Sequence, residues 1–176
     1  MAKARLKTPG KLGIIAGLCV LGFCGLGGAE PQDRSTTSAA LSQGIRGTVL
    51  FWHGFFVFPD DYRQYRKPVE RELRIYELTT LDPNDVDIVS IDSNEGNFFS
   101  AVHTGLVAVV QSECREGRFE IELLPGTYSV FAVEDGQFYA RNSTPGGEIN
   151  PVHVRLGTFA DIEFDITYGA TWVCCQ

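Results

Sequence analysis

Three histidines, five cysteines and two crowded stretches, one aromatic and one acidic, are where this 176-residue chain could do chemistry. His53, His103 and His153 each stand 50 residues from the next. No H-x-H pair and no C-x-x-C supplies the close donor spacing of a transition-metal site. Nor does the sequence hold a nucleophile elbow, a phosphate-cradling glycine loop, or a cysteine and histidine with an orienting partner. A hydrolytic or metal-dependent activity would have to be assembled across loops, and non-enzymatic binding is the reading these residues favour.

The aromatic stretch is "FWHGFFVFPDDYRQY", which contains Trp52, Phe55, Phe56, Phe58, Tyr62 and Tyr65. Clustered rings offer large contact area at low entropic cost, which suits stacking on a sugar or anchoring a partner protein. The other expectation is that the same rings plug one end of a core. The acidic stretch "LDPNDVDIVSIDSNEGN" carries Asp82, Asp85, Asp87 and Asp92, hard oxygen donors of the kind that hold Ca²⁺. Their spacing departs from the D-x-[DN]-x-[DN]-G register of an EF-hand, and Asp and Asn recur in turns for backbone reasons. Solvated turns without a cofactor are therefore expected. Asn142-Ser143-Thr144 fits a glycosylation acceptor formally and reads as a polar turn before Pro145.

The chain opens on "MAKARLKTPGK", with four positive charges and no acid, followed by an uncharged run over residues 12–26. These are the charged and apolar regions of an export signal. The apolar run is shorter than the ~20 residues needed to span a bilayer. Gly27-Gly28-Ala29 supplies the small residues of a cleavage site, which places the cut after Ala29. Two alternatives stand beside this reading. The run could be kept as a membrane anchor, or Cys24 could be lipidated, although Phe23 stands where a bacterial lipobox expects a small residue. The predicted address is exported: periplasm, cell surface or extracellular, with no stable membrane span after cleavage.

Loss of four positive charges takes the net charge from −7 to −11. Such an acidic chain is repelled by phosphate backbones, so nucleic acid is excluded as a partner. Cys19 and Cys24 leave with the signal, while Cys114, Cys174 and Cys175 stay in a compartment where disulfides persist. One bridge from Cys114 to either C-terminal cysteine, or three free thiols, are both open.

The elements that must position these groups follow a period of two. Residues 30–43 are small and polar, a flexible linker. From residue 44 to 176 alternation dominates, in a length that makes one domain of about 130 residues. Ile45, Gly47, Val49 and Phe51 form one face of a first strand, and Leu73 and Ile75 oppose Arg74 and Tyr76 in another. "TGLVAVVQS" is apolar on both faces, as expected of a strand in mid-sandwich or under a covering loop. Phe119, Ile121 and Leu123, then Tyr128 and Val130, point to the core on either side of Leu124-Pro125-Gly126. Gly126 is expected to take the positive φ of a tight reversal. Short strands joined by Gly, Pro, Asn and Asp turns predict an all-β fold, an antiparallel β-sandwich of about seven strands.

"GTVLFWHG", "GRFEIELLPGTYSVFAVEDGQFYA" and "VRLGTFADIEFDI" together resemble the carboxypeptidase regulatory-like domain, a transthyretin-like (prealbumin-like) Greek-key sandwich, as found in small exported bacterial proteins that are little more than this domain. The likeness runs from Gly44 to Trp172 and is strongest from Gly117 to Tyr139. The small exported group carries Gly-Asn-x-Met-Pro after its first strand, where this chain has Gly54-Phe55-Phe56-Val57-Phe58-Pro59. Hydroxyisourate hydrolases of the transthyretin-like type end in Tyr-Arg-Gly-Ser, against Tyr168-Gly169-Ala170-Thr171 here, without the arginine. Intradiol dioxygenases hold iron through tyrosines and an H-x-H pair that this chain lacks. The resemblance implies an exported, non-enzymatic module of the cell envelope that binds a polysaccharide or a partner protein through its loops. A hydrolase or metal-dependent enzyme on the same sandwich is the alternative.

Overall fold

The first alternating stretch becomes strand β1 (Gly44–Trp52), and its partner is the last long strand of the chain, β12 (Phe159–Ile166). The computed structural model describes residues 42–57 and 65–173. β1 and β12 run parallel, in continuous register from Gly44 opposite Phe159 to Phe51 opposite Ile166. On its other side β1 pairs antiparallel with β8 (Arg118–Glu122) along its first half and β3 (Arg66–Pro68) along its second. These four strands form one sheet.

The second sheet has seven strands. They are β4 (Glu72–Glu77), β5 (Val86–Asp92), β6 (Gly96–Val102), β7 (Leu106–Gln111), β9 (Gly126–Glu134), β10 (Gln137–Ala140) and β11 (Pro151–Val154). Their order is β5-β6-β10-β9-β4-β7, with β11 beside the first half of β9. A parallel ribbon of β2 (Gly54–Val57) and β13 (Ala170–Val173) completes the set. The fold is an all-β sandwich, as the alternation predicts. Thirteen strands are described against the expected seven or so, because β2, β3, β11 and β13 are too short to show a period. Two pairings are parallel, since hydrophobic alternation specifies faces and not partners.

Between the sheets lies a core built from Ile45, Val49, Leu73, Ile75, Phe119, Val130, Phe164 and Ile166, each on the inward face its alternation assigns. The outer face of the large sheet is covered as well. The excursions over residues 78–85 and 141–150 join there through Leu81 N–H to the Gly147 carbonyl and Ile149 N–H to the Thr79 carbonyl, both 2.9 Å. Beneath them Tyr76, Val86, Phe99, Phe131, Ala140 and Ile149 form a second buried cluster.

The Leu124-Pro125-Gly126 turn is fixed differently from expectation. Gly126 is not in the left-handed region. Its lack of a side chain matters because a Cβ there would lie 3.1 Å from the Tyr128 hydroxyl, which folds back to donate to the Leu124 carbonyl at 2.8 Å. Left-handed backbone appears in the next hairpin instead, where Asp135 (φ 50°) and Gly136 (φ 81°) form the two-residue loop that suits the twist of β9 and β10.

Candidate functional site

Trp52 ends β1 with its ring turned inward, only 7% exposed. Its indole N–H donates to Asp165 Oδ1 at 2.7 Å, and the Arg66 guanidinium lies 5.2 Å from the ring centre. Arg66 Nη2 in turn donates to Glu163 Oε2 (2.6 Å) and Asp165 Oδ1 (3.1 Å). Tyr65 and Ala170 pack against the indole. Trp52 is therefore a plug and not a stacking platform: its ring is buried against Ala170 at the start of β13, and Asp165 satisfies its N–H. Phe55 and Phe56 lie on β2, whose backbone pairs them with Thr171 and Trp172 of β13. Phe58 and Tyr62 lie outside the described residues.

The four acidic candidates are dispersed along the chain around β5. Asp82 Oδ1 accepts from the Asn84 backbone N–H (2.8 Å) and side-chain amide (2.7 Å). Asp85 Oδ2 accepts from Thr80 N–H (3.0 Å) and its hydroxyl (2.7 Å). Asp92 Oδ1 accepts from Glu95 and Asn94 N–H, at 2.8 and 2.7 Å, and these backbone donors hold its carboxyl below the ordinary range. Asp87 meets His103 Nε2 at 3.1 Å. Their oxygens serve turns and one imidazole, and among the described residues no three His, Cys, Asp or Glu side chains converge on a metal-sized space.

Each histidine belongs to a different region. His53 sits between β1 and β2, His103 on the connection into β7, and His153 on β11, where Nδ1 meets the Thr127 hydroxyl at 3.0 Å. Ser100 lies near the Asp87 and His103 pair, but its hydroxyl donates to the Asp87 carbonyl at 3.4 Å. Cys114 is an exposed free thiol in the turn before β8, while Cys174 and Cys175 lie outside the described residues, as does Ala29.

A buried polar knot with no signature in the sequence links β9 to the residue before β4 and to the connection between β12 and β13. Glu134, 5% exposed, accepts from Arg71 Nε (2.6 Å) through one oxygen and from the Tyr168 hydroxyl (2.6 Å) through the other. Burial and the hydrogen bond to Glu134 push the Tyr168 phenol up to about 12. An unfolded tyrosine titrates near ~10, so this raised value stabilises the fold below pH ~10 and the contribution is lost as pH rises through about 12. Denaturant unfolding measured from pH 9 to 12 should show stability falling more steeply in the wild type than in Tyr168→Phe. Equal slopes would contradict the assignment.

A cavity of about 200 Å³ opens between β11 and β12, lined by Arg141, Asn150, Glu163 and Asp165 over Phe164. Its polar groups hold the fold: Arg141 donates to the Ser93 carbonyl, Asn150 to the Val130 carbonyl, and the two carboxylates bind Arg66.

The surface that no internal contact explains is the edge of the large sheet. Six of the eight large apolar side chains exposed among the described residues lie on its two outermost strands: Ile88, Val89 and Ile91 on β5, and Leu106, Val107 and Val109 on β7. β7 is thus neither in mid-sandwich nor under a covering loop, the two placements that its apolar faces predict. Ala108 and Val110 pack against the inner core, and β4 covers one side of the ladder, but the outer face and the far edge meet solvent. Compared with known proteins, the chain matches no family model, no curated protein and no solved structure.

Proposed function

We propose that this chain is an exported, non-enzymatic β-sandwich module of the cell envelope that works by binding a partner protein along the open edge of β7. The observation that carries the reading is β7 itself: an uncharged strand at a sheet edge, with Leu106, Val107 and Val109 about half exposed. Such an edge presents unpaired N–H and C=O groups beside an apolar strip, the surface that accepts an added strand. Folded proteins that work alone blunt their edges with charges or bulges. β5 is blunted in this way, by Asp87 and Asp92 and by two register shifts around Ile88, whereas β7 carries no charged side chain and its ladder with β4 shifts register once, beside Val107. The leader-like N-terminus supports export. The burial of Trp52 and the spacing of the histidines support binding by a sheet edge over sugar stacking or catalysis.

The test is a photo-crosslinking side chain placed at Val109, and separately at the exposed Leu156, in cells that naturally produce the protein. A discrete protein adduct is expected at 109 and not at 156, and it should vanish when Val107→Lys is added. No adduct at 109, or equal adducts at both positions, would count against the proposal.

A further inference from the structure

We infer that the groove running past Arg141 and Asn142 is a binding site for a neutral saccharide at least two sugar units long. It is separate from β7 and does not rest on the reading of that edge. Two cavities make it: the one of about 200 Å³ between β11 and β12, and one of about 240 Å³ beside β5 and β6, where Ile91, Asp92, Asn97 and Ser143 line it. Arg141 and Asn142 stand in the walls of both, so the two cavities lie side by side. Each is below the roughly 300–1,000 Å³ of pockets for drug-sized ligands and suits one small ring. Two such spaces in series suit a chain of rings.

Asn97 is the strongest ground. It is only 4% exposed and lines the second cavity, yet its side-chain amide makes no hydrogen bond among the described residues. A buried amide without a protein partner is rare, and an outside group that both donates and accepts would satisfy it. The Asn142 side chain is uncommitted among the described residues in the same way, on a backbone that is pinned. Asn150, held at φ 38°, accepts from the Asn142 N–H through Oδ1 and donates its own N–H to the Asn142 carbonyl, both at 3.0 Å. The groups that hold the fold here also use only part of their capacity. Arg141 gives Nη1 to the Ser93 carbonyl and keeps its other N–H donors. Glu163 and Asp165 bind Arg66 through one oxygen each, and Asp92 caps its turn through one, so each carboxylate keeps a second.

Amides, a guanidinium and spare carboxylate oxygens around small spaces match hydroxyl groups, which donate and accept at once. Ile91 and Val152 add apolar surface for the C–H face of a ring. Three carboxylates (Asp92, Glu163, Asp165) stand against two guanidinium groups (Arg66, Arg141) in a chain of net charge −7, so an anionic ligand is repelled. Phe164, the aromatic residue in these walls, is buried and offers no face on which a nucleobase could stack. Recognition runs through hydrogen bonds and does not use the buried Trp52.

The test is calorimetric titration of the full chain, purified as its host processes it, with mono- to hexasaccharides of glucan, mannan, galactan and xylan type, and with polygalacturonate and alginate as anionic counterparts. At least one neutral series should bind, its disaccharide about tenfold or more tighter than its monosaccharide because the second cavity is then filled. Asn97→Ala and Asn142→Ala should each weaken binding by about threefold or more, and together by about tenfold or more. Thermal melting should stay unchanged, because these two amides hold no other part of the protein. Should Asn97→Ala melt lower, Asn142→Ala at its exposed position carries the comparison alone. Val109→Lys on β7 should bind the saccharide like the wild type. The inference is overturned if no neutral saccharide binds, if the anionic polymers bind as tightly, if a disaccharide gains nothing over its monosaccharide, if Asn142→Ala binds like the wild type, or if Val109→Lys loses the saccharide. Any of these results leaves the Val109 adduct in cells as the separate test of the edge.

Discussion

Phe131→Ala should lower the unfolding free energy by about 3–5 kcal/mol, one of the two largest losses expected from a single substitution in this chain. Phe131 is fully buried on the outer face of the seven-stranded sheet. Its ring meets Tyr76, Phe99 and Phe138 edge-on at centroid distances of 5.6, 5.8 and 6.2 Å. Truncation removes the apolar transfer energy, leaves a cavity that three aromatic neighbours cannot easily collapse into, and ends the edge-to-face contacts. The excursions over 78–85 and 141–150 rest on this cluster, so their amides should lose hydrogen-exchange protection together. For a domain of about 130 residues the loss corresponds to roughly 10–20 °C in Tm. Val109→Ala on the exposed edge should change stability by less than about 1 kcal/mol. A Phe131→Ala loss as small as that would mean the outer face is not a packed core.

Arg71→Met should cost about 2–4 kcal/mol, the upper end being reduced because the Arg71 side chain is 32% exposed. The loss comes less from the missing ion pair than from what it leaves: the Glu134 carboxylate, 5% exposed, with the Tyr168 hydroxyl as its remaining donor. Arg71 also lies 6.0 Å from the Phe51 ring centre, a packing contact that the methionine partly keeps. Removing the whole knot in Arg71→Met, Glu134→Leu, Tyr168→Phe should recover most of the stability, because no buried charge is then stranded. A triple variant no more stable than the single one would show that the knot contributes by its own attraction and not by mutual satisfaction. Equilibrium denaturation of the two variants beside the wild type decides between these.

Period-two alternation makes the inner core legible from the order of the residues alone. Ile45, Val49, Leu73, Ile75, Phe119, Val130, Phe164 and Ile166 all face inward as their positions in the strands require. The same signal cannot reveal the outer core. Phe131 looks outward by alternation, and its burial depends on two excursions that return across the sheet from far along the chain. Alternation is also silent on partners, which is why the parallel pairing of β1 with β12 and the edge position of β7 emerge only from topology. A strand apolar on both faces fits mid-sheet and an unoccupied docking edge equally well. Glu134 stands in "VEDG" like any hairpin acid, and only Arg71 and Tyr168, brought from distant segments, make it a buried carboxylate. Trp52 resembles a binding residue in sequence because an aromatic cluster looks the same whether it faces water or a neighbouring ribbon. The acidic stretch is turn chemistry at Asp82, Asp85 and Asp92, as its composition predicts, since capping by Asp is local and visible in sequence.

The claim that β7 is the working surface is tested most directly by measuring whether that edge is covered where the protein acts. Val109→Cys and, as a control, Leu156→Cys can be labelled with a small maleimide in the intact envelope and in dilute purified protein, with modification mapped to each site by mass spectrometry. Occupied β7 predicts that Val109→Cys reacts several-fold more slowly in the envelope than in dilute solution, while Leu156→Cys reacts at the same rate in both. Equal rates for Val109→Cys in the two settings would mean that the edge stands open and that the function lies elsewhere on the molecule.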